Sequence, residues 1–113
     1  MRKVKETWNS AKLQHSSDVL RAIAHPLRMT ILEFIDRNRS INVNKIYNTL
    51  KLEQSITSQH LKILRQSGVV NTHREGKYIH YTIDYARLNV TIGSVREFLK
   101  NNPIEDIGDD EEI

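Results

Sequence analysis

The chain has 113 residues, of which 27% are charged and 38% hydrophobic, a composition typical of one soluble globular domain. It contains no cysteine, which excludes disulfides, thiolate metal ligands and thiol redox chemistry. No apolar run is long enough to span a bilayer, and no apolar stretch follows the basic N-terminus as it would in a secretory signal. We therefore expect a cytoplasmic protein with no membrane partner.

The charges are unevenly distributed along the chain. Residues 1–100 hold all 17 Lys and Arg but only eight acidic residues, which gives this part a formal charge of +9, and the other six acids lie in residues 105–112. A basic body favours a polyanionic partner such as nucleic acid, although a solvated charged surface has the same composition. We predict one domain over residues 1–101 and an acidic, disordered tail over residues 102–113.

Two helices are predicted before the first proline. The first, roughly Lys5–His15, carries Trp8 and Ala11 on one helical stripe, which is thin enough to need a partner chain to cover it. Ser16-Ser17 can then cap a second helix over Asp18–Ala24.

Pro26 suits the first turn of a third helix, which the polar cluster Asn38–Ser40 ends. Its predicted core residues share one stripe, and they are Leu27, Ile31, Phe34 and Ile35. Asn42 or Asn44 can cap the fourth helix, which runs to Leu50.

A short turn separates the fourth helix from the fifth. Lys51–Glu53 forms the turn, the fifth helix covers Gln54–Ser67, and Gly68 can close it in the left-handed conformation. Two short helices joined in this way are typical of a helix-turn-helix.

Beyond Gly68 the sequence favours a β-hairpin. Val69–His73 and Tyr78–Ile83 are β-prone, and the charged segment Arg74–Lys77 supplies a glycine for the tip. A hairpin placed directly after a helix-turn-helix is a wing. The predicted fold is therefore mainly α with a two-stranded β-hairpin, a winged helix-turn-helix of five helices, the hairpin and one final helix.

Asp84 can cap that final helix, which extends to about Asn101. An apolar stripe runs along it, formed by Leu88, Ile92, Val95 and Leu99. Val90 and Phe98 fall off the stripe, so the helix needs two neighbours, its own core and a second subunit.

The Gln54–Ser67 helix is the predicted recognition helix. Thr57, Leu61 and Leu64 should face the core, whereas the opposite face is polar and suited to the edges of base pairs in the major groove. Gln59 can pair bidentately with adenine. The alternative is that this face is only the solvent-exposed side of an ordinary amphipathic helix, which has the same pattern. The predicted DNA contacts, in which Thr57 is also counted, are Ser55, Ile56, Thr57, Ser58, Gln59, His60 and Lys62.

The wing carries cations that can position the protein on phosphates or in the minor groove. The predicted contacts of the wing and the DNA backbone are His73, Arg74, Lys77 and Arg65. The alternative is a charged tip that only keeps an edge strand soluble.

The segment from Leu20 to Tyr81 resembles the ArsR/SmtB family of bacterial winged-helix repressors. The matching motifs are Ala24–Arg28 followed by Ile31-Leu32, Gln54–Arg65 followed by Gly68–Val70, and Arg74–Lys77 with Tyr78 and Tyr81. The resemblance implies a homodimer with two recognition helices about 34 Å apart on an imperfect palindrome, and repression relieved by an effector, often a metal ion. The implied dimer interface comprises Trp8, Ala11, Leu88, Ile92, Val95 and Leu99.

The metal sites of that family lack their ligands in this sequence. The helix before the recognition helix has no thiol, and Ala86 stands two residues after Asp84, where a histidine would be needed. His25 and His60 belong to family motifs, and their predicted role is structural. We predict no metal and no other cofactor, and the effector is unknown.

The hypotheses for the function belong to different classes of protein. An enzyme is disfavoured, because no nucleophile–base pair or phosphate loop is present. The main hypothesis is a repressor that binds double-stranded DNA. The alternatives are a winged-helix module for protein interaction and a DNA-binding sensor of a small molecule.

Overall fold

The computed structural model describes residues 10–101. Its elements are α1 (Ser10–Ile23), α2 (Pro26–Asn38), β1 (Ile41–Asn42), α3 (Val43–Leu50), α4 (Gln54–Gln66), β2 (Val70–Glu75), β3 (Tyr78–Ile83) and α5 (Tyr85–Asn101). The strands form one antiparallel sheet in the order β1-β3-β2. This order of elements confirms the predicted winged helix-turn-helix. No helix in residues 10–101 is long and apolar enough to cross a membrane.

The N-terminal part of the domain differs from the prediction. α1 is one continuous helix, so the predicted break at Ser16-Ser17 and the separate helix Asp18–Ala24 are wrong. Ser16 is buried in the middle of α1, three and six residues before the core residues Val19 and Ala22. Tertiary packing therefore outweighs the local capping signal. The start of the predicted first helix, including Trp8, lies outside the described residues.

Side-chain caps define the starts of α2 and α3. His25 precedes Pro26, and its Nδ1 accepts a hydrogen bond from the backbone N–H of Leu27 at 3.1 Å. Asn42 caps α3 by accepting the backbone N–H of Lys45 at 2.9 Å, which selects Asn42 from the two predicted caps. These caps fix where both helices begin.

The turn between α3 and α4 depends on a left-handed residue. Lys51 has φ +57°, a conformation that favours glycine, and it ends α3 through a hydrogen bond from its N–H to the carbonyl of Tyr47. This allows only three residues to separate the end of α3 from the start of α4.

One hydrophobic core joins the helices to the sheet. Its fully buried centre draws on α2, α3 and α4 through Ile31, Ile35, Ile46, Leu61 and Leu64. Leu27 and Phe34, which were also predicted to be core residues, are partly buried against this cluster. The core therefore holds α4 by one face only.

The sheet contains one strand more than predicted. In β1, Ile41 pairs with Tyr81 and Asn42 with His80, which extends the hairpin to three strands. At the tip, Glu75 pairs with Tyr78 and leaves a two-residue loop. Of the two loop residues, only Gly76 has a positive φ, +65°. A hairpin turn with glycine in its first central position requires a positive φ there.

α5 packs on α1 through small polar residues. Asp84 caps α5 as predicted, since its Oδ1 accepts the N–H of Arg87 at 3.0 Å. Thr91 and Ser94 are the buried residues of α5, whereas Ile92 on the predicted apolar stripe is 47% exposed. Part of that stripe therefore has no cover within residues 10–101.

Gly68 joins α4 to the sheet, and we expect alanine there to lower the free energy of unfolding. Its φ of +84° costs an L-residue about 1–2 kcal/mol, and an added Cβ would lie 2.7 Å from Nε of Arg87. Urea unfolding of Gly68→Ala measures the loss. Gly93→Ala is the matched control, because a Cβ there meets nothing within 4 Å and alanine favours helix by about 0.5–1 kcal/mol. Equal stability of the two variants would contradict the prediction.

Candidate nucleic-acid interface

The buried face of α4 sets the orientation of the helix. Thr57, Leu61 and Leu64 are fully buried, as the helical spacing predicts. The hydroxyl of Thr57 donates to the carbonyl of Glu53 at 2.8 Å, which satisfies its polar atom inside the core. The inclusion of Thr57 among the DNA contacts is therefore wrong, because its side chain has no accessible surface.

The opposite face of α4 is exposed and carries neutral or basic groups. Ile56 is 41% exposed, so it can reach a thymine methyl, and the equally accessible Ile63 is an apolar residue that the sequence reasoning missed. No acidic residue occurs within α4. The polar residues of this exposed face are Ser55, Ser58, Gln59, Lys62 and Gln66.

His60 lies on the flank of α4 that faces α2. Its Nδ1 is 3.3 Å from Nη1 of Arg28, and its ring centroid is 4.8 Å from that of His25. Partial burial, the neighbouring His25 and the charge of Arg28 together hold the pKa of His60 below its ordinary value. The ring is thus turned toward other protein groups, and Arg28 is a neighbour that the sequence reasoning did not identify.

The wing presents its two faces differently. Because side chains alternate along a strand, His73 and Arg74 point to opposite faces of the hairpin. His73 stacks on His80 with centroids 5.3 Å apart, and Glu75 lies 3.3 Å from Nε2 of His80. The carboxylate of Glu75 therefore has its partner on the His73 face of the hairpin.

The cations of the wing tip are exposed. Nε of Arg74 donates to the carbonyl of Gly76 at 3.2 Å, and the Lys77 ammonium lies 5.6 Å from the centroid of the Tyr78 ring. Arg65 of α4 is near enough to the hairpin to oppose the burial that raises the pKa of Tyr81. Positive charge therefore extends from α4 onto the wing.

Asp84 is the one ligand residue of the implied metal site on α5 that this chain has, and its carboxylate serves other contacts. Oδ1 caps α5, and Oδ2 lies 4.0 Å from Nε of Arg87. The guanidinium of Arg87 also reaches His15 at 2.7 Å. A cation beside the carboxylate disfavours a metal ion, and Ala86 offers no ligand atom. The described residues around Asp84 therefore do not fit a zinc site.

Comparison with known proteins identifies a family of transcription regulators. A family model described as "Bacterial regulatory protein, arsR family" matches residues 25–72. The transcriptional repressor PagR of Bacillus anthracis is 36% identical over 72 residues, which cover 64% of this chain and 72% of PagR. The uncharacterized HTH-type transcriptional regulator MJ1325 of Methanocaldococcus jannaschii is 34% identical over 86 residues, 76% of this chain and 97% of MJ1325.

Solved structures show the same architecture. The crystal structure of PagR aligns with a TM-score of 0.65 at 30% identity and covers 74% of this chain and 98% of that one. An ArsR-like transcriptional regulator from Rhodococcus sp. RHA1 has a TM-score of 0.75 at 21% identity and covers 80% of this chain and 85% of that one, which supports the fold alone.

Fold, interface and relatives together define a winged helix-turn-helix DNA-binding transcription regulator, and not an enzyme. The chain belongs to the ArsR family of bacterial regulatory proteins, which confirms the resemblance noted in its sequence.

We expect Arg74→Ala to weaken binding to all DNA sequences alike. We expect this cation at the wing tip to contact phosphate, so its loss should reduce the slope of log affinity against log salt by about one. Fluorescence anisotropy over a salt series measures the slope. Arg37→Ala is the control, because Arg37 lies on α2, 3.8 Å from Glu33. An unchanged slope for Arg74→Ala would remove this residue from the interface.

Proposed function

We propose that this chain is a sequence-specific repressor that binds an imperfect palindrome in double-stranded DNA. The exposed face of α4 carries the proposal, because it combines amide and hydroxyl groups with Lys62 and no acid. The proposed base contacts are Ser55, Ile56, Ser58, Gln59 and Lys62, and the proposed phosphate or minor-groove contacts are Arg65, His73, Arg74 and Lys77. Repression follows the printed function of PagR, a relative that is 36% identical over 72 residues.

A homodimer through α1 and α5 is the second part of the proposal. Leu20, Val90, Ile92 and Leu99 are large apolar residues of these two helices that remain more than 40% exposed. A mostly apolar cleft of about 400 Å³ lies between the helices and includes Leu20, Ala24 and Val95. A second copy of the chain can cover this surface, because a two-fold axis brings the same apolar face of each chain together.

Regulation of this repressor is proposed without a metal. The chain has no cysteine, and the Asp84 carboxylate faces Arg87 rather than other ligands. We infer a cytoplasmic location from DNA as the partner. A small-molecule effector is compatible with the same DNA activity. A protein-interaction module is less well supported, because it gives no reason for the basic wing beside α4.

The direct test is footprinting of genomic fragments by the purified protein, followed by selection of base preferences. We expect a protected site with two related half-sites about one helical turn apart. Gln59→Ala should relax the preference at one position in each half-site, at a cost of about 1–3 kcal/mol there.

Gln66→Ala is the matched control for this substitution, since Gln66 is exposed at the C-terminal end of the same helix. Unchanged base preference in Gln59→Ala would refute the assigned role of Gln59. Protection that ignores sequence would refute the proposed specificity.

The dimer predicts a coupled loss of assembly and affinity. Ile92→Asp places a charge in the exposed apolar part of α5, so sedimentation velocity should show monomers. Loss of the second half-site should then weaken DNA binding on the order of a hundredfold. Met29→Asp is the control, because Met29 is 57% exposed on α2. A dimer that survives Ile92→Asp with full affinity would place the interface elsewhere.

A further inference from the structure

Arg28 connects three helices through one side chain. It lies in the first turn of α2, and its Nε donates to the carbonyl of Ala22 in the last turn of α1. Its Nη2 reaches the carbonyl of Arg21 at 3.4 Å, and its Nη1 is 3.3 Å from Nδ1 of His60 on α4. The carbonyls at the end of a helix lack partners within the helix, so Arg28 completes α1 while it contacts the recognition helix.

The contact between Arg28 and His60 fixes a protonation state. A guanidinium only donates hydrogen bonds, so Nδ1 of His60 must accept, and the ring proton must be on Nε2. An imidazolium at position 60 would lose its lone pair and add a positive charge beside Arg28. The hydrogen bond therefore exists only while His60 is neutral.

The charges around His60 do not offset that repulsion. On α2 the ring faces His25 and Arg28, which disfavour its positive charge. The one acidic residue within α1 is Asp18, and its carboxylate lies 3.1 Å from the guanidinium of Arg21. On α2, Glu33 lies 3.8 Å from Arg37, and Asp36 accepts a hydrogen bond from the hydroxyl of Tyr85. On β2, Arg74 donates to the carbonyl of Gly76 and Glu75 lies beside His80. Lys45 of α3 lines a cleft with Phe34 and His80.

We propose that Arg28 is a positioning residue for the recognition helix. Protonation of His60 breaks the hydrogen bond from Arg28 and thereby weakens DNA binding. The proposal rests on the DNA binding proposed above. It assigns His60 to the positioning of α4 rather than to a base contact. The flank occupied by His60 borders the exposed face, so a shift of α4 on this side moves Ser55 and Gln59 relative to the core.

The direction of the pH effect follows from the lowered pKa of His60. The neutral ring prevails at pH 7 and above, and its contribution is lost as the pH falls below the ordinary histidine value of about 6.5. Because the proposed DNA complex needs α4 in its present position, protonation of His60 and DNA binding should oppose each other.

The test measures affinity for the footprinted DNA between pH 7.5 and pH 5.5 at constant ionic strength. The natural chain should bind roughly tenfold more weakly at pH 5.5, about the contribution of one hydrogen bond to a charged group. His60→Asn supplies an acceptor that does not titrate, so its affinity should not fall with acid. Arg28→Lys keeps the charge without the forked contacts and should lose roughly tenfold at pH 7.5.

Arg37→Lys is the matched control on the same helix and should follow the natural chain at each pH. Thermal unfolding of every variant separates positioning from a purely structural role. An Arg28→Lys protein whose affinity falls only in step with its folded fraction would overturn the proposal. So would a His60→Asn protein with the same pH profile as the natural chain.

An NMR measurement without DNA keeps this inference separate from the proposed function. In the natural chain, imidazole ¹⁵N shifts should place the ring proton of neutral His60 on Nε2. In Arg28→Lys they should show a mixture of the Nδ1 and Nε2 tautomers. A proton on Nδ1 in the natural chain would refute the contact itself. If no genomic fragment binds at any pH while the Nε2 form is observed, the proposed function fails and the contact stands.

Discussion

The burial of one face of α4 is the constraint on which the rest of the molecule depends. Leu61 and Leu64 are fully buried in the same core as Ile31, Ile35 and Ile46, so α4 cannot rotate without exposing apolar area. With that face fixed, the polar face must point to solvent. Gly68 then turns the chain directly into the hairpin, which places the wing beside the exposed face of α4.

The elements with a strong periodic signal could be predicted from the sequence. α2, α3, α4 and the hairpin follow apolar spacing and clear capping or turn residues, and the structure has them within a residue or two of the predicted bounds. β1 could not be found this way, because two residues have no period. Its existence depends on Ile41 pairing with Tyr81, a partner forty residues away.

The break predicted within α1 and the assignment of Thr57 to the DNA contacts are errors with a common physical origin. Serine and threonine are usually placed at caps or on wet faces, yet Ser16, Thr57, Thr91 and Ser94 are all buried here. Thr57 and Ser94 satisfy their hydroxyls on carbonyls four residues earlier in the same helix, so they can pack where two helices approach closely. A sequence pattern based on polarity cannot distinguish this use from solvent exposure.

Two arginines explain why the position of α4 is tied to α1. Arg28 links the end of α1 to His60, and Arg87 reaches from α5 to His15 on α1 while its side chain packs over Gly68 at the end of α4. Both contacts are long-range, so neither could be found from local spacing. Since α1 also carries part of the exposed apolar surface, any shift of α1 must either break these contacts or move α4 with it. The surface that suits a second subunit and the surface that suits DNA are therefore mechanically connected within one chain.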